Sequence, residues 1–122
     1  MKSYFGLTST EVEIMEMFWT KEGPFSFREI MEYMTTERKK VWKKQTLNTY
    51  LFKLQKMELI HAEVTEHYQR YSVLCTKDEF IQRWTRKLVE ESYGNSIANF
   101  VAAFTGGKKL SPEDAEKIKE LI

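Results

Sequence analysis

At 122 residues, with 42% hydrophobic and 30% charged residues, the sequence has the make-up of one or two small soluble domains and not of a disordered or fibrous chain. A single cysteine, Cys75, excludes an intramolecular disulfide and fits a reducing cytoplasm. The net charge of +1 excludes a generally polycationic surface, and the longest uncharged run, residues 92–107, carries three glycines and two asparagines and falls short of the ~20 apolar residues of a membrane span.

Leu7 to Thr20 reads as a first helix. Thr8 and Glu11 have capping-box spacing, so a hydroxyl and a carboxylate satisfy the free N–H groups of the first turn. Val12, Met15, Phe18 and Trp19 form its buried stripe, and Gly23-Pro24 stops it. Ser26 and Glu29 repeat the capping box and open a second helix that runs to about Thr36, with Phe27, Ile30, Met31 and Met34 inward.

A basic cluster follows: Arg38, Lys39, Lys40, Lys43 and Lys44. It leads into a third helix, from about Lys43 to Glu58, on which Leu47, Leu51, Leu54 and Met57 fall on one face. Gln45, Asn48, Thr49 and, beyond them, Lys53 fall largely on the other side. Amides suit adenine edges, hydroxyls adapt, and ammonium groups suit guanine or phosphate, so this helix has the make-up of a recognition helix. The charge distribution agrees: residues 28–56 hold eight basic and three acidic side chains, a local +5 on a near-neutral protein. An ordinary surface helix with a solvated basic end is the competing reading.

The period then changes. Leu59 to Val64 and Tyr68 to Leu74 are rich in β-branched and aromatic residues and read as two strands joined by a turn near Thr65 to His67. Three helices followed by a short hairpin is the order of a winged helix-turn-helix, with the hairpin as the wing. Thr76 and Glu79 make a third capping box and start a long helix, which Gly94-Asn95 interrupts. Ile97 to Phe104 forms another helix, and Ser111 and Pro112 open the last. The apolar stripes of these helices contain Phe80, Ile81, Trp84 and Leu88, then Ile97, Val101 and Phe104, then Ile118 and Leu121. They exceed what so short a unit buries alone, and a second copy of the chain is the simplest cover.

The expected fold is therefore mainly α with a small β-hairpin. Residues 1–75 form a winged-helix DNA-binding domain, and residues 76–122 form an all-helical dimerisation domain. No catalytic set, phosphate loop or zinc spacing stands out, so no enzyme activity, metal or cofactor is expected. His61, His67 and Cys75 read as ordinary strand and wing residues. A winged-helix module whose basic helix docks on an acidic protein is the alternative from another class.

The ordered set of motifs resembles the penicillinase-repressor family of bacterial transcription regulators. It comprises Leu7-Thr8, Glu11, Ile14-Met15 and Phe18-Trp19; Arg28-Glu29-Ile30; Trp42, Thr46-Leu47, Thr49, Leu51 and Lys53-Leu54; and Tyr68 to Ser72. The chain looks nearer the β-lactamase and methicillin-resistance repressors than the copper-responsive branch, whose C-terminal cysteine cluster it lacks. The resemblance implies a homodimeric, cytoplasmic repressor bound to a palindromic operator in double-stranded DNA with TACA/TGTA-like half-sites. It implies control of β-lactamase or related resistance genes; a family repressor answering a different signal is the variant reading.

On that reading Gln45, Thr46, Asn48 and Thr49 lie nearest the bases. Lys43, Lys44 and Lys53 meet phosphates or purine edges, Trp42 touches sugar-phosphate, and Arg28 and Tyr71 contact the backbone. The family's release step, cleavage of an Asn–Phe bond through a membrane sensor-protease pathway, maps onto Asn99-Phe100. Three departures stand out: Glu58 where many relatives have glycine, acids at Glu63 and Glu66 in a wing whose one fixed cation is Arg70, and Asn48 where some relatives have arginine.

Overall fold

The computed structural model describes residues 3–122, and side-chain burial from Phe5 onward. The chain folds as a winged helix-turn-helix followed by a helical segment, mainly α with a small antiparallel sheet. The elements in chain order are β1 (Ser3–Tyr4), β2 (Leu7–Thr8), α1 (Ser9–Thr20), β3 (Phe25–Ser26), α2 (Phe27–Thr36), α3 (Lys44–Lys56), β4 (Ile60–Val64), β5 (Gln69–Val73), α4 (Lys77–Ser92), α5 (Ile97–Thr105) and α6 (Pro112–Leu121). Among the described residues no helix is long and apolar enough to cross a membrane.

The helix starts are local chemistry. Thr8 and Glu11 close a capping box on α1, and Ser26 and Glu29 close another on α2. The Thr76 N–H donates to Glu79 Oε1 at 3.0 Å and the Glu79 N–H to Thr76 Oγ1 at 3.1 Å, which starts α4 in the same way. Ser96 and Ser111 cap α5 and α6. Each such cap contributes about 1 kcal/mol.

The sheet has order β3-β5-β4, one strand more than the expected hairpin. Phe25 pairs with Tyr71 and Ser26 with Arg70, so the entry to α2 is stitched to the wing's return strand. A second hairpin, β1-β2, precedes α1 where the sequence reading had helix from Leu7. Its turn residues Phe5 and Gly6 have φ of 57° and 86°, positive at both positions as a two-residue hairpin turn demands. The Phe5 ring meets Trp84 edge-on, with centroids 5.4 Å apart, and Phe80 at 6.5 Å.

The chain divides into two compact units, Met1–Trp84 and Thr85–Ile122. The first unit holds the core: Ile14, Met15 and Phe18 from α1, Ile30 and Met34 from α2, Leu47, Leu51 and Leu54 from α3, with Leu59, Ile60 and Tyr71 from the sheet. It continues past Cys75, because Phe80 is buried beside Trp19 and Ile81 packs on the same cluster. Phe80 and Ile81, expected at a dimer surface, are thus covered by their own chain, and Trp84 is half-buried against the β1-β2 turn. In the second unit Val89 is the one fully buried side chain among the described residues. Tyr93 and Phe100 meet edge-on at 5.5 Å, while Ile97 (68% exposed), Phe104 (79%) and Leu121 (86%) are open to solvent.

The end of α3 shows how the missing glycine is accommodated. Glu58 adopts φ 60°, the left-handed position that usually belongs to glycine. Its N–H donates to Gln55 O at 3.0 Å and the Leu59 N–H donates to Leu54 O at 3.1 Å, the two bonds of a Schellman motif. Leu54 and Leu59 are both buried in the core, which holds the turn despite the backbone strain. Replacement Glu58→Gly is expected to raise stability by about 1 kcal/mol, by removing the Cβ from a left-handed residue. Urea unfolding followed by tryptophan fluorescence checks this, since Trp19, Trp42 and Trp84 all lie in the first unit. The midpoint should rise with an unchanged slope.

Candidate nucleic-acid interface

The face of α3 opposite its leucines is open. Gln45, Asn48 and Thr49 are exposed along it, and Thr46 is half-buried at its edge. The Thr49 hydroxyl donates to Gln45 O at 3.0 Å, which leaves its oxygen as an acceptor on the surface. The helix begins at Lys43, with no side chain capping its first turn. Lys43 and Lys44 are exposed there and make no ion pair among the described residues. Two ammonium groups at the positive end of a helix dipole are unfavourable by themselves; a polyanion relieves both.

The loop entering α3 is held from two sides. The Lys40 N–H donates to Met34 O at 2.9 Å, and its ammonium lies 3.5 Å from Glu13. Trp42 stacks on Tyr50 with centroids 5.2 Å apart, half-buried, so its ring braces the first turn of α3 from within the chain. Arg38 donates to the Tyr33 hydroxyl at 3.3 Å. The basic cluster is therefore sorted: Arg38 and Lys40 serve the fold, while Lys39, Lys43 and Lys44 face solvent. Arg28 is exposed on the first turn of α2.

Two sequence assignments change. Tyr71 is 4% exposed and packs in the core, where burial pushes its phenol above its ordinary pKa; it is not placed to touch a DNA backbone. Lys53 pairs its ammonium with Glu11 at 2.7 Å while its side chain stays about half exposed, so its charge is engaged by its own chain in the free protein. Glu11 is itself completely buried. Burial raises its pKa, but the Lys53 ammonium and the hydrogen bonds from Thr8 outweigh that and hold it below the ordinary value of 4.5.

The wing is acidic at its tip. Glu63, Glu66, His61 and His67 are exposed, and Thr65 closes the turn by accepting from the Tyr68 N–H at 3.2 Å. Its one arginine, Arg70, sits 3.4 Å from Glu29 and over the Tyr68 ring, which neutralises most of what it would offer a phosphate. Sequence reasoning passed over Phe52, which is 60% exposed on the same face as Gln45 and Thr49. The helical spacing i, i+4, i+7 of Gln45, Thr49 and Phe52 carried that signal.

The sequence matches the penicillinase repressor family over residues 7–122, nearly its whole length. The chain belongs to that family, whose members are DNA-binding transcriptional repressors and not enzymes. No individual curated protein matches it.

The Glu11–Lys53 pair makes a pH prediction. With a depressed folded pKa, Glu11 contributes stability that is complete above its ordinary value of 4.5 and is lost as the pH falls through the folded value. Lys53→Met leaves the carboxylate buried without its cation. At pH 7 it should cost about 1–3 kcal/mol, the range for a stranded buried polar group, held down because Lys53 is half in water. The gap between wild type and Lys53→Met should narrow as the pH falls below about 4.5 and on through the depressed folded value of wild-type Glu11, where the pair is lost. Urea midpoints at pH 7 and pH 3.5 measure it.

Proposed function

We propose that this repressor acts as a homodimer on a palindromic operator, with α3 of each protomer in a major groove. The observation that carries this reading is the division of α3 into a leucine face in the core and an open face of Gln45, Asn48 and Thr49 behind two free lysines. Gln45 and Asn48 offer the amides that pair with adenine, and Thr46 and Thr49 stand beside them. Lys43 and Lys44 meet phosphates at the helix entrance, and Arg28 reaches the backbone from α2. The family assignment supports β-lactamase or related resistance genes as the targets.

Assembly falls to the second unit. Its Ile97, Phe104 and Leu121 are exposed, beside the half-buried Leu88, Val101 and Ile118. A second copy covers them and gives two recognition helices on one operator. Release follows by cutting between Asn99 and Phe100 through a membrane sensor-protease pathway. That bond lies in the first turn of α5, where Ser96 Oγ accepts from the Asn99 N–H at 3.1 Å and Ser96 O from the Phe100 N–H at 3.1 Å. The turn must open before a protease reaches it. Cleavage then detaches Phe104 and α6 from α4, the dimer weakens, and the avidity of two linked contacts goes with it.

DNA binding separates the roles on α3. Lys44→Ala should weaken selected and random duplexes alike and flatten the slope of log K against log salt by about 0.9. Asn48→Ala should cost about 1–3 kcal/mol on the preferred duplex and little on random DNA. Equal losses on both duplexes would count against base reading by Asn48; binding insensitive to salt would favour a protein partner instead.

Assembly has its own test. The intact chain should sediment as a dimer at micromolar concentration, and the chain cut after Asn99 as a monomer with lost operator affinity. Intact repressor in cells fully induced by a β-lactam would contradict the release step.

A further inference from the structure

The open face of α3 carries one large apolar side chain that the core does not take up. Phe52 is 60% exposed. At ~100° per residue it falls within the stripe formed by Gln45, Asn48 and Thr49, and away from the face of Leu47, Leu51 and Leu54. The Lys56 ammonium stands 4.7 Å over its ring, so the apolar surface sits among polar and charged groups.

The base edges of a major groove present one apolar group, the 5-methyl of thymine. We propose that Phe52 is a specificity-determining residue whose ring packs on a thymine methyl. This rests on the reading of α3 as the helix that enters the groove. Phe52 lies one turn, about 6 Å at ~1.5 Å per residue, along the helix from Asn48, so the two side chains reach different base pairs of one half-site. An amide at Asn48 selects adenine, and the ring at Phe52 selects a thymine near it. The same helix thereby reads a hydrogen-bonding edge and an apolar one. An exposed phenyl ring among lysines and amides is costly in free solution and matched in the groove. Serine at this position would keep the helix and lose the match.

The test uses the full-length protein and a duplex that it selects from a randomised pool. Each thymine of that duplex is replaced in turn by deoxyuridine, which removes the methyl and nothing else. Wild type should lose about fourfold in affinity at one thymine per half-site, the fold-change of burying one methyl group. Phe52→Ser should bind the thymine and uracil duplexes alike at that position, and Phe52→Leu should retain the preference. Because the side chain is exposed, both variants should keep the wild-type response to substitutions at the adenines. The same loss in Phe52→Ser as in wild type, or wild-type indifference to every thymine, would overturn the assignment. Failure of wild type to select any duplex would overturn the underlying reading of α3, and this assignment with it.

Discussion

The rest of this structure depends on one buried carboxylate. Glu11 Oε1 accepts the Thr8 N–H at 2.7 Å and so closes the first turn of α1. Its other oxygen stands 2.7 Å from Lys53 Nζ on α3. One side chain therefore completes a helix cap and ties that cap to α3. A carboxylate taken out of water is costly, and the cost is offset in part here by an ammonium at ion-pair distance from one oxygen and a backbone N–H on the other. The leucines of α3 supply most of the stabilisation, at about 2 kcal/mol for each buried side chain. Because they lie on one face of the helix, their burial also fixes which side of α3 turns inward. The Glu11–Lys53 pair adds a directional contact at the flank. Together they set which residues of α3 face outward, the face proposed to meet DNA.

The same logic sorts the positive charge. A patch of +5 between residues 28 and 56 looks uniform in the sequence. In the fold Lys53, Lys40 and Arg38 are drawn inward to Glu11, Glu13 and Tyr33. Lys43 and Lys44 remain at the entrance to α3, at an uncapped helix end. The acidic side chains of α1 thus act on the interface without standing in it. They withdraw some cations and leave others. The wing adds little positive potential, because Arg70 is held by Glu29 and the tip carries Glu63 and Glu66. On the proposed reading, recognition therefore falls on α3 more than on the wing.

Much of this was legible in the sequence because it is local. Capping boxes at Thr8, Ser26 and Thr76 are short-range hydrogen-bonding patterns, and all three are present. The leucine face of α3 is a periodicity, and it is buried as expected. The errors share one cause: a period says which side of an element is apolar, but not what covers it. Phe80 and Ile81 read as surface for a partner, yet the β1-β2 turn and Trp19 bring the chain's own aromatics onto them. Tyr71 alternates to the core side of β5 because β3, a strand of two residues with no readable period, pairs with it. Lys53 lies at the flank of α3, where only the fold decides between Glu11 and a phosphate. Phe52 escaped notice because an apolar residue on a polar face breaks the pattern instead of making one.

The central claim is that the outward face of α3 meets DNA while Lys53 stays with Glu11. Nuclear magnetic resonance of the full-length protein, titrated with the duplex it selects, tests both halves at once. The account predicts shift changes centred on Lys43, Lys44, Gln45, Asn48, Thr49 and Phe52, with the Glu11 carboxylate and the Lys53 side chain unmoved. Changes concentrated on the wing between Glu63 and Tyr68, or a Lys53 ammonium that leaves Glu11 on binding, would contradict it.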